Sequence, residues 1–203
     1  MSRALYPPSK ERSCIRRIKV PACVPCNRSW TDDEPHCRSV LLISGEPNAA
    51  VCELWEGKTR RSFCYEDGRR RARDLVAQMV PVQTAQGERH MVYPARDDRV
   101  MRVVRKVIRG MCHHHRLLSP VTDTQVWADV QPFEFPPAFL AVMGTAHAEE
   151  DILKYCYCVI EHPDFHSFWL LTFYERTTFF GVVFRSEEAR LRVEDGARDG
   201  SAS

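Results

Sequence analysis

Apolar residues recur with a helical period over two long stretches of the chain and cluster into short β-rich runs elsewhere. Val100, Val103, Val104, Val107, Ile108 and Met111 form an unbroken stripe, which predicts a helix from about 96 to 114. Asp97 and Asp98 stand at its start, and Arg and His residues crowd its end, as the helix dipole favours. Ala72, Leu75, Val76 and Met79 repeat at i, i+3, i+4 and i+7, predicting a helix from about 67 to 79 that Pro81 stops. Thr31 followed by Glu34 has the pattern of a capping box, so a helix is expected from there to about Ile43, ahead of Gly45. Pro47 suits the first turn of another helix, whose apolar face is Ala50, Val51, Leu54 and Trp55.

Strand signals are shorter. Ile15, Ile18 and Val20 suggest one near the N-terminus, and Val80, Val82 and then Met91, Val92, Tyr93 suggest two around a turn at Gly87. After residue 120 the pattern changes. Gln125–Val130 reads as a strand, and Pro132, Pro136 and Pro137 make a stiff connection. Ile152–Ile160, Ser167–Tyr174 and Thr177–Phe184 follow, rich in aromatic and β-branched residues. They are separated by His162-Pro163-Asp164 and Glu175-Arg176, which makes an antiparallel meander. Residues 194–203 are polar and are expected to be a disordered tail.

Composition narrows the class. The chain has 203 residues, 44% of them hydrophobic and 28% charged, as in soluble globular proteins. No run approaches the roughly 20 apolar residues of a membrane span, and the N-terminus lacks a signal-peptide core, so a cytoplasmic location is expected. Nine cysteines at irregular spacing point to thiols and a metal site rather than a disulfide framework. A formal net charge of +2 neither demands nor excludes a nucleic-acid partner; the distribution of charge decides.

The sharpest local motif is Pro21-Ala22-Cys23-Val24-Pro25-Cys26-Asn27. Two cysteines at this spacing in a Pro-flanked turn supply half of a tetrahedral zinc site; two ordinary thiols in a turn are the alternative. The remaining ligands would come from Cys14, or from His36 and Cys37 in the helix that follows. Residues 21–34, PACVPCNRSWTDDE, resemble the second half of an HNH-type ββα-metal nuclease module. In that family a strand runs into a C-x-x-C turn, a His or Asn follows the second Cys, and a helix starts. The resemblance implies structural zinc on Cys23 and Cys26. It implies that Asn27 stands where the catalytic Mg²⁺ or Mn²⁺ is bound, and that DNA is the partner. The family's first Cys pair and its catalytic Glu-His or Asp-His have no counterpart, since no His precedes His36. The chain thus reads as a module cut just after its catalytic strand, able to bind a phosphodiester but lacking the general base that activates water.

Other groups have plainer readings. Three consecutive histidines, His113, His114 and His115, point in different directions on a helix and suit its C-terminal end. Cys156 and Cys158 share one strand face, and Tyr155 and Tyr157 the other. His162, Asp164 and His166 flank a turn. Arg69, Arg70, Arg71 and Arg73, with Arg102, Arg105, Lys106 and Arg109, are candidate phosphate contacts that interleaved Asp residues weaken. No Gly-rich phosphate loop or nucleophile elbow occurs. The expected fold is α+β: a partial ββα metal turn over 1–45, an α+β domain over 46–193 with helices before an antiparallel sheet, then the tail. The expected function is that of an HNH endonuclease-like, nucleic-acid-directed protein, catalytically incomplete. The alternative is a non-enzymatic zinc-binding or protein-interaction scaffold.

Overall fold

The computed structural model describes residues 5–7, 18–21, 30–83, 85, 87–94, 96–131, 134–149 and 151–200, with side chains omitted at 145–149 and 195–200. Cys14, Cys23, Cys26 and Asn27 lie outside these residues, and so does the expected strand around Ile15. Helix α1 spans Asp33–Ile43. Helix α2, Ala49–Leu54, runs on into a π turn over Trp55–Thr59 and a last helical turn over Arg60–Ser62. Helix α3 spans Glu66–Gln78 and α4 spans Asp98–His114, with the hairpin β1 (Val80–Gln83) and β2 (Arg89–Val92) between them. Strand β3 (Val126–Val130), the short helix α5 (Pro137–Ala141) and strands β4 (Gly144–Glu149), β5 (Leu153–Val159), β6 (Phe165–Phe173) and β7 (Thr177–Phe184) follow. Helix α6, Glu187–Gly200, comes last.

The fold is mixed helix and sheet, with the antiparallel meander where the alternation places it. One five-stranded antiparallel sheet has the order β3-β7-β6-β5-β4. Its register sets Tyr157 beside Trp169, Trp169 beside Gly181, and Gly181 beside Ala128. This row belongs to the inner face, against which α4 lies. At Gly181 a Cβ would stand 2.3 Å from Ile108 Cδ1 and 3.1 Å from the Trp127 carbonyl, so the close approach of helix to sheet requires glycine. The outer face carries Trp127, Phe168 and Phe180, and the segment around α5 lays Phe135 and Phe139 over Phe168 and Phe180 at ring separations of 5.1–6.0 Å. These aromatics pack the sheet.

Local chemistry accounts for the differences from expectation. Pro47 does not open α2. Asn48 does, accepting from the Val51 N–H at 3.0 Å through Oδ1, which puts Ala49 first in the helix. Thr31 does not cap α1; Asp32 stands at that position without a side-chain cap bond, and Glu34 takes Lys106 at 2.7 Å instead of reaching back. The chain beyond Glu194, expected to be a tail, continues α6 through Gly200. Ser186 accepts from the Ala189 N–H at 3.1 Å, and Glu187 and Glu188 occupy the acidic first turn, which together start that helix. Strand β4, sequence GTAHAE, has no apolar alternation and is held by pairing with β5.

A single core collects Leu5, Tyr6, Cys37 and Leu41 with Val104, Trp169, Phe173 and Val183. Described residues on both sides of the expected 45/46 boundary therefore share one interior. The tip of the β6–β7 hairpin is tied into it. Tyr174 and Glu175 take positive φ (52° and 60°) in the turn, and the Tyr174 hydroxyl donates to the Leu5 carbonyl at 2.8 Å. Asn48 Nδ2 donates to the Tyr174 carbonyl at 3.0 Å and the Asp151 carbonyl at 3.1 Å. Arg176 donates to the carbonyls of Leu41, Gly45 and Glu46 at 2.7–2.9 Å, which satisfies the open C-terminal end of α1. Among the described residues no helix is long and apolar enough to cross a membrane.

Candidate nucleic-acid interface

Cys23, Cys26 and Asn27 lie outside the described residues, and the candidate ligands His36 and Cys37 lie within them. Helix α1 carries His36 and Cys37 inward, both fully buried. His36 Nε2 lies 2.8 Å from Asp97 Oδ2, and the Tyr93 hydroxyl donates to the same carboxylate oxygen. Asp97 Oδ1 accepts from the N–H groups of Arg99 and Val100 at the start of α4, at 2.7 and 3.1 Å. Burial alone would raise the Asp97 carboxyl, but Tyr93, His36 and the Val100 N–H together pull it down to about 2. Burial, reinforced by the carboxylates of Asp97, Glu34 and Asp33, pushes the Cys37 thiol far above its ordinary range, so a thiolate is disfavoured there. Among the described residues no group of three or more His, Cys, Asp or Glu side chains could hold an ion.

The histidines at the end of α4 and around the β5–β6 turn are placed separately. His113 and His114 are exposed, while His115 packs into the sheet's inner face. Its Nε2 lies 2.9 Å from the Tyr155 hydroxyl and its Nδ1 3.3 Å from the Tyr157 hydroxyl. Burial, then the neighbouring His114, lowers its pKa. His162, Asp164 and His166 do not converge: Asp164 pairs with Arg192, and His166 faces Ser167 Oγ at 3.2 Å. Tyr155 and Tyr157 take the inner sheet face, and Cys156 and Cys158 the outer.

Positive charge separates into two populations. The cations of α4, expected as phosphate contacts, are turned inward on the molecule's own carboxylates. Arg99 and Arg102 both bind Asp33, at 3.0 and 2.9 Å; Lys106 binds Glu34; Arg105 binds Asp123 at 3.1 Å. Arg109 donates to the Val121 carbonyl at 2.8 Å and lies 3.9 Å from Asp123. Burial opposes ionisation of Asp33, yet the two guanidiniums outweigh it and hold its carboxyl below the usual range. This face is already neutralised.

The arginines of the α2–α3 region are different. Arg60, Arg61, Arg69, Arg70 and Arg73 are exposed and Arg71 is half-buried. Among the described residues none of the six has a carboxylate within salt-bridge distance. Arg61 and Arg69 donate to backbone carbonyls, of Gly57 at 2.9 Å and of Cys64 at 2.8 and 3.1 Å. Glu66, Asp67 and Asp74 share the surface without pairing with these cations. Aromatic side chains interleave with them. Trp55 is 38% exposed, and its ring meets Phe63 edge-on, centroids 5.9 Å apart at 71°. Tyr65, just before α3, is 73% exposed. A groove of about 660 Å³ is lined by Phe63, Glu66, Arg69, Ala72 and Arg73. The sequence carries the signal in the run from Trp55 to Arg73, where aromatics alternate with arginines; attention to the arginines alone passes over it. No protein-family model, no curated protein and no solved structure matches the chain.

Proposed function

We propose that the chain is a nucleic-acid-directed binding protein whose phosphate contacts come from the arginines of α2 and α3. The observation that supports this reading is the contrast between two basic surfaces. Every cation on the polar face of α4 has an acidic or carbonyl partner, whereas among the described residues Arg60, Arg70 and Arg73 face solvent without one and Arg69 has the Cys64 carbonyl but no carboxylate. Unpaired surface arginines attract phosphate and release counterions when they bind it. The HNH resemblance belongs to the same proposal: Cys23 and Cys26 hold a structural zinc, and Asn27 stands at the position of a catalytic Mg²⁺ or Mn²⁺. His36, the first histidine after that turn, is committed to Asp97 in the interior. In this reading the chain is an HNH-like binder that is catalytically incomplete, acting in the cytoplasm.

Binding of a fluorescent oligonucleotide across a salt series tests this. Affinity should fall linearly on a log–log plot, and Arg70→Glu with Arg73→Glu should weaken binding at least tenfold, about 0.7–0.9 in slope being lost per phosphate contact. Arg102→Gln should leave affinity unchanged, because that side chain is occupied by Asp33. Salt-insensitive binding, or none, would sink the proposal. Zinc content of the purified chain tests the Cys23 and Cys26 assignment separately.

One observation favours the scaffold alternative. The β1–β2 hairpin exposes Val80, Val82, Met91 and Val92, an apolar strand pair typical of protein contacts. A chain that binds no polynucleotide but loses a protein partner on Val82→Lys would favour it.

A further inference from the structure

The aromatic rings of the α2–α3 surface have no task in duplex recognition. A duplex presents its phosphates outward and keeps the faces of its bases inside the stack. A surface that reads only the duplex backbone needs cations, and exposed indole and phenol rings add nothing to it. Single strands expose base faces, and proteins that hold them combine a cationic track with aromatic stacking partners.

The geometry here has both parts. The π turn closes through the Arg60 N–H, which donates to the Trp55 carbonyl, and Trp55 is its first residue. Such turns are frequent at functional sites because they break the regular helical spacing and re-aim a side chain. Trp55 and Phe63 present two ring planes at a steep angle, and Phe63 forms one wall of the groove. Arg69 and Arg73 line the same groove. Arg69 uses two of its N–H groups on the Cys64 carbonyl, which fixes the guanidinium beside the ring and leaves the others for an anion. The frame is tight. A Cβ at Gly68 would stand 1.8 Å from the Ser62 carbonyl oxygen, so α3 is pressed directly onto the turn that leads to Phe63. Glu66 also lines the groove. It repels phosphate and accepts from base N–H donors, so the backbone is directed along the arginines and the bases toward the rings.

We propose that the groove along α3 beside Phe63 binds a single-stranded polynucleotide, with bases stacked on Phe63 and on the adjoining Trp55 ring and phosphates paired by Arg69 and Arg73. This rests on the nucleic-acid reading above and specifies its ligand. DNA and RNA single strands share the chemistry, since every base offers a stacking face.

The test is fluorescence anisotropy on the full chain with four probes of matched length: oligo-dT, oligo-rU, a DNA duplex and polyglutamate. Either single strand should bind at least tenfold tighter than the duplex, and the ranking of the two names the natural source. Trp55→Ala should weaken single-strand binding by between about fivefold and a hundredfold without changing the salt slope, and Trp55→Phe should restore most of it. Arg69→Gln with Arg73→Gln should instead lower the slope. Thermal melting of each variant at the parental temperature shows that the fold is kept. If the variant at Trp55 melts early, Phe63→Leu, at the ring that lines the groove, serves in its place. Equal affinity for duplex and single strand, or full affinity in Trp55→Ala, would overturn the single-strand assignment and leave the phosphate-binding proposal standing. No binding of any polynucleotide would remove both. Polyglutamate bound as tightly as oligo-dT would mark the groove as a site for acidic polypeptide and overturn the inference as well.

Discussion

At Asp97 four donors meet one carboxylate: two backbone N–H groups of α4, the Tyr93 hydroxyl and His36. Helix start, hairpin exit and α1 are thereby joined at one residue. Its carboxyl is depressed from an ordinary 3.8 to about 2, so the stability it contributes is complete above about pH 4 and disappears as pH falls toward 2. Asp97→Ala should cost about 2–4 kcal/mol at pH 7, from the lost cap and from polar groups of Tyr93 and His36 left buried. That cost should shrink at pH 3 and be smallest near pH 2. Urea denaturation at each pH reads it, and an equal cost throughout would mean that the charge is not the source. The role of Asp97 at a helix start is legible from Asp97-Asp98 ahead of the apolar stripe. Its joining role is not, because His36 lies 61 residues away and no local pattern reports that approach.

Among the elements, α4 is the most legible, since its apolar period is written in six consecutive stripe positions and Val100, Val103, Val104, Ile108 and Met111 are indeed buried. Its polar face is the least legible. Whether Arg102 meets phosphate or Asp33 depends on how α1 docks against it, which is tertiary information. Helix α3 makes the same point from the other side, because its docking depends on one missing methyl group. Gly68→Ala would drive a Cβ into the Ser62 carbonyl, a backbone atom with no rotamer to escape into. Overpacking of this kind should destabilise by roughly 1–3 kcal/mol, or more if α3 is forced off the turn. Circular dichroism melting gives the stability. Anisotropy would show a parallel loss of oligonucleotide binding, as Arg69 and Arg73 move away from Phe63. The elements β4 and α6 escape the sequence because pairing and capping, not periodicity, create them.

At the scale of the whole molecule, described residues on both sides of the expected 45/46 boundary pack in one interior. Leu5, Tyr6 and the apolar face of α1 contribute to the core that also holds α4 and the sheet. A chain beginning at residue 46 should therefore fail to fold, exposing Val104 and Val100, where Cys37, Val40 and Leu41 no longer share the core. Size-exclusion chromatography with dye binding would show an expanded or aggregated species; a compact monomer with native helicity would restore the boundary. The meander is legible at this scale, because turn residues and alternating aromatics mark each strand. The partition of charge into a spent face and an available one is not, since a net charge of +2 is silent on where the partners of each arginine lie.

The β6–β7 turn carries a consequence for motion. A hairpin tip is ordinarily the first place to open, so its amides exchange fastest and proteases find it early. This one is stitched on three sides by Asn48, Arg176 and the Tyr174 hydroxyl. The Tyr174 and Arg176 amides, bonded to the carbonyls of Ile152 and Phe173, should exchange with deuterium as slowly as those at the middle of β6. The open turn at Gly87, where a side chain would meet nothing within 4 Å, should exchange freely. An inserted tag or cysteine label should be tolerated at Gly87 and should unfold the chain at Glu175.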